Sequence, residues 1–149
     1  MTGPVWRPVP HIRTLAIGLH WRGAGLLGAE VLDDAGRVKG MRPLGGGVEF
    51  GERWADALVR EFREELGAAI VVTGPPIVLE NIYVHEGAQG HEVVFAAPVE
   101  FAEPPEADVL RFAEDNGTQH IARWFDPFAP GAPPLFPEGL RGALVGQQP

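Results

Sequence analysis

Three glutamates stand at helical spacing near the middle of the chain. Glu61, Glu64 and Glu65 occupy positions i, i+3 and i+4. On an α-helix they would fall within one arc of roughly 100°. Carboxylates held this close repel one another, and each raises the cost of ionising the next. Because Mg²⁺ binds through a few carboxylates, water and a substrate phosphate, this spacing predicts a site for a hard divalent ion.

A glycine-rich segment precedes this predicted helix. Gly45, Gly46 and Gly47 allow the backbone to approach a ligand closely, and their carbonyls are hard oxygen donors. Glu52 stands near the predicted start of the helix, where the helix dipole favours a carboxylate, and it is placed to pair with Arg60. The alternative for the whole segment is a helix with a solvated Glu/Arg face, which is the usual role of a charge run.

The stretch from Gly46 to Ala68 resembles the signature of the Nudix hydrolase family, G-x5-E-x7-R-E-U-x-E-E-x-G-U, where U is a bulky apolar residue. Phe62 fills the first U position, and Ala68 is small for the second. Leu44 stands where the family often has proline. Every fixed position of the signature is matched: Gly46, Glu52, Arg60, Glu61, Glu64, Glu65 and Gly67.

The resemblance implies a divalent-metal-dependent pyrophosphohydrolase that cleaves a nucleoside diphosphate linked to another moiety. Depending on that moiety, the substrate would be a nucleotide, a nucleotide-sugar or a dinucleoside polyphosphate. Mg²⁺ is the implied cofactor, with Mn²⁺ as the alternative ion. Glu64 and Glu65 would be the main metal ligands, and the Gly45 carbonyl often supplies another. Glu61 would be a further ligand or the base that orients the attacking water.

The same resemblance assigns a supporting role to the pair Arg60 and Glu52, which would hold the helix and the carboxylates in place. A different hypothesis is a non-catalytic Nudix-fold module that binds a nucleotide or acts as a sensor. Such modules usually lose signature carboxylates. None is missing here, which favours the enzyme.

The general base varies within this family, and a downstream carboxylate or histidine often completes the site. An acidic, turn-rich stretch supplies candidates, although a solvated loop is the alternative for each of them. The candidates are Glu103, Glu106, Asp108, Glu114 and Asp115.

Three residues on two predicted strands are candidates for substrate binding. Tyr83 lies near the position where dinucleoside polyphosphate hydrolases tend to carry a tyrosine, and strand packing is the alternative interpretation. His91 and Glu92 begin a strand after a glycine turn and could face the pocket, or could simply be exposed at its edge. An aromatic group that could stack on a base, or form core, comprises Trp124, Phe125 and Phe128.

Regular elements must position these side chains. The helix is predicted from Trp54 to Leu66 with Gly67 as its stop, and Arg53, Asp56, Arg60 and Arg63 are expected mainly on its solvated side. A turn is expected at Gly87–Gly90, a short helix at Glu138–Val145, and residues 102–119 show no clear pattern. The predicted strands are His11–His20, Leu26–Leu32, Met41–Leu44, Ile70–Val72, Ile77–Val84, His91–Phe101 and Ile121–Phe125.

Several short strands around one strong helix predict an α+β domain with a mixed sheet. The Nudix resemblance sharpens this to an α/β/α sandwich with a mixed β-sheet, in which the signature forms a loop–helix–loop. We expect a proline-rich N-terminal arm over residues 1–10 and a single domain over residues 11–149.

Composition narrows the class of protein further. The chain has 149 residues, 45% of them hydrophobic, which is typical of a folded domain. A formal net charge of −8 argues against binding to nucleic acid or anionic lipid, so the expected partner is a small-molecule nucleotide derivative. The absence of cysteine excludes thiol chemistry. Neither a secretory signal nor a membrane span is predicted, so a cytoplasmic enzyme is expected, and the family makes a homodimer plausible.

Overall fold

The computed structural model describes residues 5–114 and 117–145. Within these ranges the chain forms two helices, α1 (Trp54–Leu66) and α2 (Leu140–Ala143). It also forms ten strands: β1 (Ile12–Leu19), β2 (Trp21–Arg22), β3 (Gly25–Leu32), β4 (Val38–Arg42), β5 (Gly45–Gly47), β6 (Ile70–Val72), β7 (Ile77–His85), β8 (Ala88–Phe101), β9 (Val109–Ala113) and β10 (Gln119–Phe125).

The strands form two five-stranded sheets. In the first sheet β1 pairs in parallel with β8, while β5 pairs antiparallel with β1, and β7 and β6 pair antiparallel with successive parts of β8. This sheet is therefore mixed. The second sheet is antiparallel, with the order β2-β3-β10-β9 and with β4 also paired to β3.

The two helices cover opposite sides of this β-structure. Leu15 and Ile17 of β1 belong to a buried cluster that includes Leu140 of α2. Ala16, which lies between them and points to the other face of the strand, belongs to a second cluster that includes Phe62 of α1. The predicted α+β sandwich of helix, mixed sheet and helix is confirmed.

Helix α1 spans the predicted residues because its apolar positions recur at helical spacing. Ala57, Leu58 and Phe62 are fully buried on one side of the helix. Gly67 ends the helix in the left-handed conformation, with φ of 64°, and its N–H donates to the carbonyl of Arg63 while the next N–H, of Ala68, donates to that of Phe62. The predicted helix and its stop are both confirmed.

The structure differs from the sequence predictions at several local points. The strand predicted at Met41–Leu44 ends at Arg42 and begins earlier, at Val38. The turn predicted at Gly87–Gly90 is formed by Glu86 and Gly87, both with positive φ, so that β8 already begins at Ala88. The unassigned stretch 102–119 contains β9, which is held by its pairing with β10. The glycine segment forms the short strand β5 on the edge of β1, where hydrogen bonding to β1 outweighs the low strand preference of glycine.

Residues 5–10 of the predicted arm contact the rest of the chain. Arg7 forms an ion pair with Asp34, and the ring of Trp6 lies 5.2 Å from that of His85. No helix in the described part of the chain is both long and apolar enough to cross a bilayer.

Candidate active site

The site is built where β5 leads into α1. Gly45 has φ of 154°, and a Cβ at this position would lie 2.0 Å from the carbonyl oxygen of Ala16 on β1. A Cβ at Gly46 would lie 2.4 Å from Cδ of Glu61. Glycine is therefore required at both positions, first by the packing of β5 on β1 and then by the approach of the Glu61 carboxylate.

Arg60 binds the carboxylates on both sides of it. Its Nε and Nη2 donate to the two oxygens of Glu52 at 2.8 and 2.9 Å, and Nη2 also donates to the carbonyl oxygen of Gly47 at 2.9 Å. Its Nη1 donates to Glu61 at 3.0 Å and to Glu64 at 3.2 Å. The expected pairing of Arg60 with Glu52 is present, but the placement of Arg60 on the solvated side is wrong, since its side chain is only 25% exposed. Its flexible stem carries the guanidinium back towards β5.

The carboxylates of this cluster differ in how readily they ionise. The hydrogen bonds from Arg60 lower the pKa of Glu52 to about 2. Burial raises the pKa of Glu65 to about 8, and the neighbouring charge of Glu61 adds to the effect. Burial also raises the pKa of Glu61, although Arg60 opposes it. Arg60 thus offsets the charge of Glu52 and Glu64 better than that of Glu61 and Glu65, which we call the inner pair.

The Glu61 and Glu65 carboxyls lie close enough to change each other's pKa, whereas Glu64 is half-exposed and accepts a hydrogen bond from Arg60. Across residues 5–114 and 117–145 no three His, Asp or Glu side chains already converge as a complete cation cage. The donor set nevertheless suits a hard cation, because the inner pair consists of crowded oxygen ligands that are costly to ionise without added positive charge.

An open cleft of about 450 Å³ adjoins the cluster. Glu61 and Gly47 form one wall, and the N-terminal half of β1 forms another through Ile12, Arg13 and Thr14. The sequence predictions did not include Arg13. The sequence does hold a clue to this residue. Arg13 alternates along β1 with Leu15 and Ile17, at a position where an apolar residue facing the core is expected.

The candidates Tyr83 and Glu92 form a hydrogen-bonded cluster with Asn81 on β7 and β8. Glu92 is buried, with the Tyr83 hydroxyl donating to one of its oxygens at 3.1 Å and the Asn81 amide to the other at 3.3 Å. The Tyr83 ring covers Gly90, where a Cβ would lie 2.3 Å from Cζ. Burial, and then the charge of Glu92, raise the pKa of Tyr83 to about 12.

His91 does not join that cluster. It is the neighbour of Glu92 on β8, so its side chain points to the opposite face of the sheet. There it lies in register with Ile12 of β1 and Ile82 of β7. The structure therefore separates the two residues that the sequence analysis grouped together.

Of the five general-base candidates, Glu114 lies near the helix carboxylates, since its charge helps to raise the pKa of Glu65. His120 lies 3.3 Å from Glu114, at hydrogen-bond length but without hydrogen-bond geometry, and lowers the pKa of that carboxyl. The other candidates are not placed there. Glu103 and Glu106 are exposed, Asp108 forms an ion pair with Arg22, and Asp115 lies outside the described residues.

The aromatic candidates for base stacking are engaged within the protein. Trp124 donates to His20 at 3.1 Å and is covered by the guanidinium of Arg22, 3.5 Å from the ring centroid. Phe125 is buried in the core cluster that contains Leu140.

Comparison with known proteins adds independent information. A model of the NUDIX domain matches residues 32–141. Proteins named nucleoside triphosphatase NudI, from Escherichia coli O139:H28 and from Shigella flexneri, are each 44% identical over 62 residues, or 41% of this chain. The match spans 44% of the length of these curated relatives.

Solved structures resemble the whole fold. A MutT NUDIX hydrolase from Burkholderia pseudomallei superposes with a TM-score of 0.59 at 24% identity, covering 93% of this chain and 98% of that one. The ORF135 protein of E. coli superposes with a TM-score of 0.58 at 23% identity, covering 93% and 94% of the two chains. At this identity the likeness concerns the fold.

Proposed function

The chain belongs to the NUDIX family, and on that premise we propose that it is a divalent-metal-dependent pyrophosphohydrolase acting on a nucleoside diphosphate linked to another moiety. One observation carries the proposal. The Glu61 and Glu65 carboxyls lie close together at the end of a glycine strand, beside an open cleft, where burial raises the pKa of both and the charge of Glu61 raises the pKa of Glu65 further. Such an arrangement is unfavourable for the protein alone and favourable once a cation is bound.

Glu61, Glu64, Glu65 and the carbonyl of Gly45 are the groups that would hold Mg²⁺ or Mn²⁺. The bound ion would neutralise phosphate charge and lower the pKa of a bound water. Glu64 carries one of its oxygens 3.2 Å from Arg60, so this carboxylate is oriented by the arginine.

The protein's own residues supply the remaining steps. Hydrolysis requires a water oxygen to attack one phosphorus while the bridging P–O bond breaks, which yields two phosphate-bearing products. As the alternative to its role as a ligand, Glu61 is placed to accept the proton of that water at its carboxylate, because burial raises its pKa. Glu114 is the other candidate acceptor that the fold brings near. Arg60 and Glu52 hold the first turns of α1 against β5, which fixes the position of Glu61.

The proposed substrates share a chain of linked phosphates and differ in the group attached to it. The curated relatives are named for nucleoside triphosphatase activity, so nucleoside triphosphates are the first class to test. Nucleotide-sugars and dinucleoside polyphosphates complete the proposed range. The structure engages the hydroxyl of Tyr83 with Glu92, which supports packing as its role. A homodimer, a cytoplasmic location and a single domain over residues 11–149 stay predictions.

A screen of nucleoside diphosphate derivatives and nucleoside triphosphates with Mg²⁺, with Mn²⁺ and with EDTA tests the proposal. Products should form only in the presence of an ion, and running the reaction in ¹⁸O-labelled water would show which phosphorus is attacked. Tight nucleotide binding without turnover would instead support a sensor module. Failure of every compound to bind or react would refute both hypotheses.

A further inference from the structure

Arg13 and Arg42 approach the candidate site from the two different sheets. Arg13, on β1, lies opposite Glu92 of β8, and its Nη2 is 3.2 Å from where a Cβ on Gly47 would stand. Arg42 is the last residue of β4, just before the chain enters the glycine strand, and pairs with Ala29 of β3. Both arginine side chains are partly buried.

Among the partly buried arginines of the described chain, these two are the ones whose guanidinium groups have no protein partner. No hydrogen bond or ion pair within residues 5–114 and 117–145 involves either side chain. Three further arginines, Arg53, Arg63 and Arg111, are exposed to solvent. The remaining ones donate to carboxylates or carbonyls: Arg7, Arg22, Arg37, Arg60, Arg123 and Arg141.

The positive charges of both arginines reach the same neighbourhood. Arg13 lines the cleft together with Glu61. Arg42 lies in register with Ala29, which packs against the core cluster that contains Phe62 of α1, so both residues lie on the side of the second sheet that faces this helix. In agreement with this placement, the charge of each arginine acts to lower the pKa of Glu114 and of Tyr83. The two arginines and the helix acids therefore face a common space. A ligand in that space would meet carboxylates on one side and guanidinium groups on the other.

A partly buried guanidinium without a partner forgoes hydrogen bonds that it would make in water. Its planar fork fits the oxygens of a phosphate, and such charge-assisted pairs are stronger than neutral ones. A chain with an overall charge of −8 would repel a polyphosphate unless cationic groups were placed locally to receive it.

We propose that Arg13 and Arg42 form a two-arginine site that binds the phosphate chain of the substrate, opposite the carboxylates of α1. The inference rests on the proposed function for the identity of the ligand, and it adds which residues bind that ligand. Recognition through two guanidinium groups favours a compound with at least two linked phosphates over a monophosphate, because linked phosphates can offer each guanidinium group a phosphate of its own.

Inorganic tripolyphosphate is the probe, since it carries linked phosphates and no base. Its binding to the full chain is measured by calorimetry in EDTA and low salt for the wild type, Arg13→Gln, Arg42→Gln and the control Arg111→Gln. We expect each site variant to bind about tenfold more weakly or worse, and the control to bind as the wild type does. Arg13→Lys and Arg42→Lys keep the charge and should lose less. They also carry the test if a glutamine variant fails to fold.

Equal affinity of the wild type and both site variants, or no binding by the wild type, would overturn the two-arginine site. Steady-state kinetics with the substrate found in the screen add a second readout, in which KM should rise about tenfold or more in each variant while kcat changes less. Arginine-dependent binding of tripolyphosphate in a chain that hydrolyses nothing would support the site and refute only the proposed activity.

Discussion

The carboxylate of Glu61 lies against the backbone of Gly46 so closely that a side chain at position 46 would overlap it. A Cβ there would stand 2.4 Å from Cδ and 2.6 Å from each carboxylate oxygen. Gly46→Ala must therefore displace Glu61, and we expect turnover to fall about 100-fold, because misplacing a catalytic group by about 1 Å has an effect of that size. Gly142→Ala is the control, since its Cβ would meet nothing within 4 Å. Full activity of Gly46→Ala would show that Glu61 is not held where the chemistry requires it.

Replacing Arg60 by lysine should weaken both the fold and the reaction. Lysine cannot make the two-point contact with Glu52 while also bonding Gly47, Glu61 and Glu64. We expect the free energy of unfolding to fall by about 1–3 kcal/mol in urea titrations at neutral pH, with a lower kcat. Arg63→Lys, at an exposed position of the same helix, should leave both quantities unchanged. If both variants lost the same stability and activity, the cause would be the exchange of arginine for lysine on the helix and not the loss of the contacts of Arg60.

Glu64→Gln should abolish most turnover while the fold survives, because its half-exposed side chain has little role in packing. We expect kcat to drop by about 10²-fold or more, since a charged oxygen ligand is lost. Circular dichroism and thermal melting should match the wild type. The exposed Glu80 provides the matched control, Glu80→Gln, for loss of one negative charge. Undiminished turnover in Glu64→Gln would remove this residue from the metal site.

Glu65 makes stability depend on pH in the ion-free protein. Its pKa is raised from 4.5 to about 8 in the folded state, so the native protein holds this proton more tightly than the unfolded chain does. The contribution of Glu65 to stability is therefore fully present below about pH 4.5 and is lost as the pH rises through about 8. Urea titrations in EDTA from pH 5 to pH 9 should show this decline in the wild type and a smaller one in Glu65→Gln. Parallel curves for the two proteins would contradict the assignment.

Divalent ions should reverse that decline. An ion that binds only the folded chain adds stability in proportion to its occupancy, and ligands must be deprotonated to bind it. We expect Mg²⁺ or Mn²⁺ to raise the melting temperature more at pH 8 than at pH 5.5, and this difference to shrink in Glu65→Gln. Ca²⁺ tests the requirement for a small octahedral ion. An equal response at both pH values would place the bound ion away from Glu65.

Local patterns were sufficient to predict the central helix. The spacing of Leu58 and Phe62 and the stop at Gly67 depend only on neighbours along the chain, so the limits of α1 follow from the sequence. Most strands were also predicted, because alternating or continuous apolar residues mark a sheet buried on one or both faces. The strand β9 was not, because its exposed pattern acquires order only through pairing with β10.

The site was predicted less completely than the helix. The signature residues adjoin in sequence, whereas Arg13 lies in the same cleft as Glu61 only once β1 has paired with β5. Arg60 was placed on the wrong side because a helical projection locates Cβ atoms and ignores the reach of a long side chain. His91 and Glu92 were grouped by sequence although adjacent strand residues point to opposite faces.

The strand β8, which pairs with β1, β6 and β7, also affects how the chain folds during synthesis on the ribosome. Ile12 of β1 pairs with His91, so one edge of the earliest strand must wait for a partner made much later, although β5 can cover its other edge sooner. The nascent chain therefore carries an exposed strand edge while α1 emerges, a situation that favours association between unfinished chains. We expect the enzyme to gain its function only after β8 has left the exit tunnel, however early its catalytic helix forms.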